Sequence, residues 1–257
     1  MSTEPPPRWA VDLGATVDAV ERRLKGAGTP ARATGSRAYL KSTLAFTGTD
    51  VPTVRRHVAA WSRAHAGLSI VNVLRVVDAL WRRGVFELQL FAAELLALEV
   101  DRLTPRHLPR IECLVRQAHT WALVDVLAPR VVGPLLERHG RAVGVALDRW
   151  ARDDNFWMRR AALLALLLPM RRGEGDWRRF VRYAGALAED REFFVRKAIG
   201  WVLREAATRQ PAQVVAFLEP RAGVLSGVTW REAVKKLPAS SRRTLERLRQ
   251  RQRAITR

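Results

Sequence analysis

With 257 residues and 48% hydrophobic positions, the chain has material for one large domain or two small ones and an ample core. Its formal net charge of +20 points to a polyanionic partner, nucleic acid ahead of an anionic membrane. Cys113 is the only cysteine, which excludes an internal disulfide and a multi-cysteine zinc site.

The start, MSTEPPP (1–7), reads as a disordered lead. It shows no basic segment followed by an apolar stretch, and no run approaches the roughly 18 apolar residues of a membrane span, so a cytoplasmic protein is expected. Apolar residues at helical spacing predict a helix over Trp9–Leu24. GAGTPARATG (26–35) reads as a loop by its Gly, Pro and Thr content, with a second helix opening at RAYLKSTLAF (37–46). A third helix follows, with Asp50 as N-cap and Pro52 in its first turn. Residues 69–82 and 85–98 form a pair broken at Gly84. Further helices are predicted at 108–117, 119–128, 131–138, 141–151, 154–168, 176–188, 191–208, 211–218 and 229–237. Pro169 should end or kink the 154–168 helix. The tail, 239–257, carries seven Arg and one Glu and reads as a basic helix or a frayed end. No strand ladder with turn signals is visible.

FWMRRAALLALL (156–167) aligns with FFVRKAIGWVLR (193–204) at a shift of 37 residues. The shift pairs Trp157 with Phe194, Arg159 with Arg196 and Arg160 with Lys197, and an acidic stretch precedes each copy. FELQLFAAELLAL (86–98) is a degenerate third copy. A period in the high thirties built from two helices marks a HEAT-like or armadillo-like solenoid. The expected fold is therefore all-α, one repeat domain over 8–238 with basic residues lining a concave groove.

Two kinds of helical pairing carry chemistry. Trp121 and Asp125 stand four apart and share a face, an indole beside a carboxylate. Lys197, Trp201 and Arg204 share another face, as do Trp157 and Arg160. Bases suit phosphates. Indole faces suit a cation or a sugar. A carboxylate stabilises a developing positive charge, by roughly 4 kcal/mol at 4 Å and an effective dielectric of about 20. The plain alternatives are that Asp125 lies at a helix end or a wet edge, that the tryptophans are core, and that Arg160 and Arg204 form surface ion pairs worth little. The five histidines show no metal-ligand spacing and read as surface or packing residues; no metal site is expected.

The stretches HTWALVD, DNFWMRRAALLALL and REFFVRKAIGWVLRE resemble the DNA alkylation repair glycosylases of the AlkD type, and RAYLKSTLAFTG and LWRRGVFELQLFAAELL match more loosely. The resemblance runs from about residue 9 to 237. It implies a HEAT-like fold acting, without metal or cofactor, on duplex DNA carrying N3- and N7-alkylated purines; a monomer is expected. It implies Asp125 as the catalytic aspartate, Trp121 and Trp201 as the aromatic pair beside the sugar, and Arg160 and Arg204 as phosphate ligands; Arg159 and Lys197 join them as DNA-binding candidates. Two departures stand out: Ala122 replaces a second aromatic often found after the first tryptophan, and a GTDVP loop replaces a glycine-proline-rich turn. Two rivals stay open. One is a noncatalytic HEAT-type DNA-binding scaffold. The other is a glycosylase/lyase using Lys197 as a Schiff-base amine.

Overall fold

The computed structural model describes residues 12–255. The expected disordered lead and the first residues of the predicted Trp9–Leu24 helix lie outside them. Among the described residues the chain is all-α, with no strand beyond an isolated bridge between Ala45 and Val85. No described helix is long and apolar enough to cross a membrane. The chain divides into two compact units, Met1–Val131 and Val132–Arg257.

The first unit holds α1 (Leu13–Ala27), α2 (Pro30–Leu40), α3 (Val51–Ala64), α4 (Ile70–Trp81), α5 (Phe86–Leu98), α6 (Leu108–Arg116) and α7 (Trp121–Leu127). Short polar side chains start most of them. Asp12, Thr29, Asp50, Ser69 and Thr120 each accept a backbone N–H of the first turn. The predicted cap at Asp50 receives Thr53 N at 2.8 Å. The loop predicted over 26–35 is largely helix instead. Thr29 caps and Pro30 occupies the first turn, where its missing N–H costs nothing, so those residues start α2. The predicted helix over 37–46 accordingly ends at Leu40, where Lys41 turns left-handed at φ 48°.

Helix α5 is the axis of this unit. Its residues from Phe86 to Leu96 are all buried, three of them polar. Each polar side chain has a partner, as burial demands. Glu87 accepts the N–H groups of Thr47 and Gly48, both at 2.8 Å. Gln89 donates to the Trp81 carbonyl at 3.0 Å. Glu94 pairs with Arg55 and Arg130. The 42–50 segment is thereby tied to α5, and Gly48 fits there because φ is 77° and a Cβ would lie 2.1 Å from the Thr29 carbonyl oxygen.

The second unit holds α8 (Gly133–Trp150), α9 (Phe156–Leu164), α10 (Leu167–Arg172), α11 (Trp177–Ala186), α12 (Phe193–Ala206), α13 (Pro211–Leu218), α14 (Gly227–Ala233) and α15 (Ala239–Ile255). The two helices predicted over 131–138 and 141–151 are the two arms of α8, separated at Gly140, whose φ of 40° and ψ of −105° are not helical. Pro169 breaks the predicted 154–168 helix. It sits inside the first turn of α10, and the break falls at residues 165–166, one turn earlier. That is where a proline at 169 withholds the N–H that the Ala165 carbonyl needs in an unbroken helix.

The repeat detected in the sequence is also a spacing of contacts. Trp157 at the start of α9 packs on Phe194 at the start of α12, centroids 5.3 Å apart. Gln210 donates to the Gly173 carbonyl, Arg171 pairs with Glu205, and Arg182 pairs with Asp148. Each link joins residues 34–37 apart in sequence. Such links tie each helix pair to the next, the nearest-neighbour logic of a solenoid. Helix α14 crosses α12 at Gly200, where a Cβ would meet the Thr229 carbonyl oxygen at 2.6 Å and Glu232 Cβ at 2.7 Å. The glycine thus sets how closely Glu232 approaches the outer face of α12.

Candidate active site

Helix α7 is short, and its exposure follows the predicted face. Leu123, Val124, Val126 and Leu127 are buried, whereas Trp121, Ala122 and Asp125 are half-buried. Asp125 therefore lies in the last turn of its helix, half-buried, on the same face as Trp121. Pro129 follows four residues later. In an unbroken α-helix residue 129 would donate to the Asp125 carbonyl; proline cannot, and its ring crowds that carbonyl. The chain widens there into a π-turn over residues 128–132, a local geometry found often at functional sites.

A buried charge clamp holds this turn. Arg130 pairs with Glu94 of α5, and Arg55 Nε donates to the other oxygen of the same carboxylate at 2.8 Å. Glu94 is 3% exposed, its two arginines 37% and 54%. The clamp fixes the end of α7 against the axis of the unit. Glu94→Gln is expected to destabilise the protein by roughly 1–3 kcal/mol, the low side of a broken buried pair because both arginines reach water. Urea unfolding measures this, and an unchanged midpoint would mean that the clamp contributes no stability.

One aromatic of the site escaped the sequence reading. Tyr39, the penultimate residue of α2, is 73% exposed, and its ring meets Trp121 edge-to-face at 5.7 Å. Such pairs prefer this T-shape, with the positive ring edge of one on the negative face of the other. The pair therefore brings two aromatics to the helix that carries Asp125. A cavity of about 300 Å³ between α4 and α6, lined by Asp78, Trp81, Arg110 and Cys113 among others, contains none of these residues.

The predicted residues of the second unit divide by exposure. Lys197 is exposed on α12, its ammonium 5.8 Å from the centroid of the Phe193 ring. Trp201 is half-buried one turn later on the same face. Arg204, at 24% side-chain exposure, pairs with Glu232 and with Glu205 at 3.3 Å. Burial alone would raise both carboxyls. For Glu205 the Lys236 and Arg171 charges win, for Glu232 those of Lys235 and Arg204, and both stay below the usual range, hence ionised at neutral pH. The plain expectation that Arg204 makes an ion pair therefore holds, though the pair is largely covered. Arg159 pairs with Asp190 at 2.7 Å and donates to the Asp153 and Asp154 carbonyls, holding the start of α9. Arg160, expected on a basic surface stripe, is 2% exposed; among its contacts are the Phe194 carbonyl and, at 5.7 Å, the Phe194 ring. No cluster of three His, Cys, Asp or Glu that could hold a metal ion occurs among the described residues.

The profile of the family described as "DNA alkylation repair enzyme" matches residues 20–237. The chain belongs to the DNA alkylation repair enzyme family. All the residues placed above, from Tyr39 to Arg204, fall within that span. Among solved structures, a predicted DNA alkylation repair enzyme from Enterococcus faecalis is similar, with a TM-score of 0.75 and 23% identity over 82% of this chain and 97% of that one. AlkD2 from Streptococcus mutans is similar too, with a TM-score of 0.62 and 16% identity over 89% of this chain and 100% of that one. These likenesses establish the fold as the helical-repeat architecture of the AlkD type. No curated protein matches the chain.

Proposed function

We propose that this member of the alkylation repair family is a monofunctional DNA glycosylase. It hydrolyses the N-glycosidic bond of N3- and N7-alkylated purines in duplex DNA. One observation carries the reading: a half-buried carboxylate, Asp125, one helical turn from an indole that an exposed tyrosine meets edge-to-face.

The chemistry follows from the charge of the substrate. An N3- or N7-alkylpurine is cationic, so its C1′–N9 bond is already weakened. When that bond breaks, the electron pair leaves with the base and neutralises it, and the base needs no proton. Positive charge passes to the sugar as an oxocarbenium ion. Asp125 stabilises that charge and orients a water whose oxygen bonds to C1′ while its proton passes to the carboxylate or to solvent. The scheme is glycoside hydrolysis with one of the two usual carboxylates dispensed with. Trp121, one turn before Asp125, offers a π-face to the cationic sugar, and Trp201 is kept as a second aromatic candidate from the resemblance. Many glycosylases flip the base into a pocket; here the charge of the lesion does the selecting, and a pocket is not required.

Four bases are proposed for the DNA backbone, and they start from different positions. Lys197 is exposed and can meet a phosphate directly. Arg204 has Glu232 and Glu205 to leave or share, and Arg159 and Arg160 must exchange internal partners for a phosphate. Lys197→Gln should therefore flatten the slope of log K against log salt by about 0.9, whereas Arg160→Gln should lower stability more than it changes that slope. Fluorescence anisotropy across a salt series separates them. An unchanged slope for Lys197→Gln removes Lys197 from the interface.

Incubation with methylated duplex DNA, followed by chromatography of the freed bases, tests the reading as a whole. Release of 3-methyladenine and 7-methylguanine above the spontaneous rate is expected. Retained DNA binding with no release would leave a noncatalytic binder.

A further inference from the structure

We infer that α15 is a second duplex-binding element, whose outer arginines track DNA phosphates beyond those the rest of the chain contacts. The family profile ends at residue 237, before this helix begins. Residues Ala239–Ile255 form one helix, whose inner face is docked on the segment between α13 and α14. Leu245 is fully buried. Arg249 is 7% exposed; its guanidinium donates to the Ala222 and Leu225 carbonyls at 3.2 and 2.9 Å and lies 4.4 Å from the Trp230 ring centroid. The Trp230 indole N–H donates to Glu246 at 2.9 Å, and Gln252 accepts Gly223 N at 2.7 Å. The one acid of the helix is thus turned inward.

The charges left on the outer face are all basic. Arg242, Arg243, Arg247 and Arg251 are exposed, and none of them makes an ion pair among the described residues. Arg243, Arg247 and Arg251 recur every four residues, about 6 Å apart along the axis, close to two base-pair steps of a strand at about 3.4 Å each. Like charges at this spacing destabilise an isolated helix, a repulsion that docking offsets and phosphates would relieve. A basic helix can also lie on an anionic membrane, but it binds there through an apolar face, and that face is already occupied by the protein. Duplex DNA therefore fits better than lipid. The inference rests on the reading that DNA is the partner.

The test compares the full chain with the triple variant Arg243→Gln, Arg247→Gln, Arg251→Gln. All three positions point to water, so thermal stability should hold. On undamaged duplex the slope of log K against log salt should fall by roughly 2–3 units, and the Arg→Lys triple should restore it. The single-turnover excision rate at saturating DNA should not change. An unaltered slope in the Gln triple overturns the inference while leaving the glycosylase reading intact. So does a loss confined to phosphatidylserine vesicles, which would make lipid the ligand of α15. Failure of the unmodified chain to bind duplex at all overturns both readings.

Discussion

Asp125→Asn should keep the fold and the affinity for DNA and lower base excision by about a hundredfold or more, since most of a Coulombic stabilisation of about 4 kcal/mol goes with the charge. The substitution is close to isosteric at a half-buried position in the last turn of α7. The helix keeps its Thr120 cap, and the Glu94 clamp on Arg130 is untouched. Binding relies on phosphates and bases of the protein, so removing one acid from a chain of net charge +20 does not weaken it. Single-turnover excision of N7-methylguanine from a duplex is the measurement, with anisotropy as the binding control. Excision at the unmodified rate would remove Asp125 from the mechanism.

What could be read from the sequence was local. The Trp121/Asp125 pair needs only helical spacing, and the exposure of α7 follows it. The Asp50 cap and the Phe86–Leu98 helix rest on signals a few residues long. The 37-residue repeat was visible because Trp157 and Phe194 occupy equivalent places and also touch. An error arose where the same residues support two local readings. Thr29 and Pro30 suit a loop, but also a cap and a first turn, and taking the loop displaced α2 and hid Tyr39 near its end. The expectation that Pro169 would end or kink its helix is met as a break at residues 165–166, one turn before it.

Other features depend on which helices meet, and no short stretch encodes that. The Glu94 clamp joins residues from α3, α5 and the turn after α7. The burial of Arg160 depends on the Phe194 carbonyl of α12. Its helical face was readable, but whether that face looks to solvent or to a neighbouring helix was not. Arg249 is the same problem inverted. A run of arginines reads as a solvated surface, yet one of them is an anchor because α15 docks over Trp230. The visible signal was a lone Leu245 with Arg249 one turn on, too sparse to announce a docked face.

The enzyme is expected to release cationic bases and little or none of the neutral ones. In the proposed mechanism, N7-methylguanine and N3-methyladenine carry the charge that the carboxylate and the indole faces would act on as it passes to the sugar. Uracil, hypoxanthine and 1,N6-ethenoadenine are neutral at pH 7. Their departure needs either a proton or a pocket that grips the base. The predicted catalytic residues supply one carboxylate and two indoles, and Tyr39 adds an exposed ring at the edge of Trp121. Without a general acid, the neutral leaving groups keep most of their intrinsic barrier, and each 1.36 kcal/mol of that barrier is a tenfold difference in rate. A matched set of duplexes, each with one lesion, measured under single-turnover conditions, gives the ratio directly. The difference should persist at saturating enzyme, since it arises in bond breaking and not in binding. Rates for uracil or hypoxanthine comparable to that for N7-methylguanine would sink the electrostatic mechanism and require a base-reading pocket in its place.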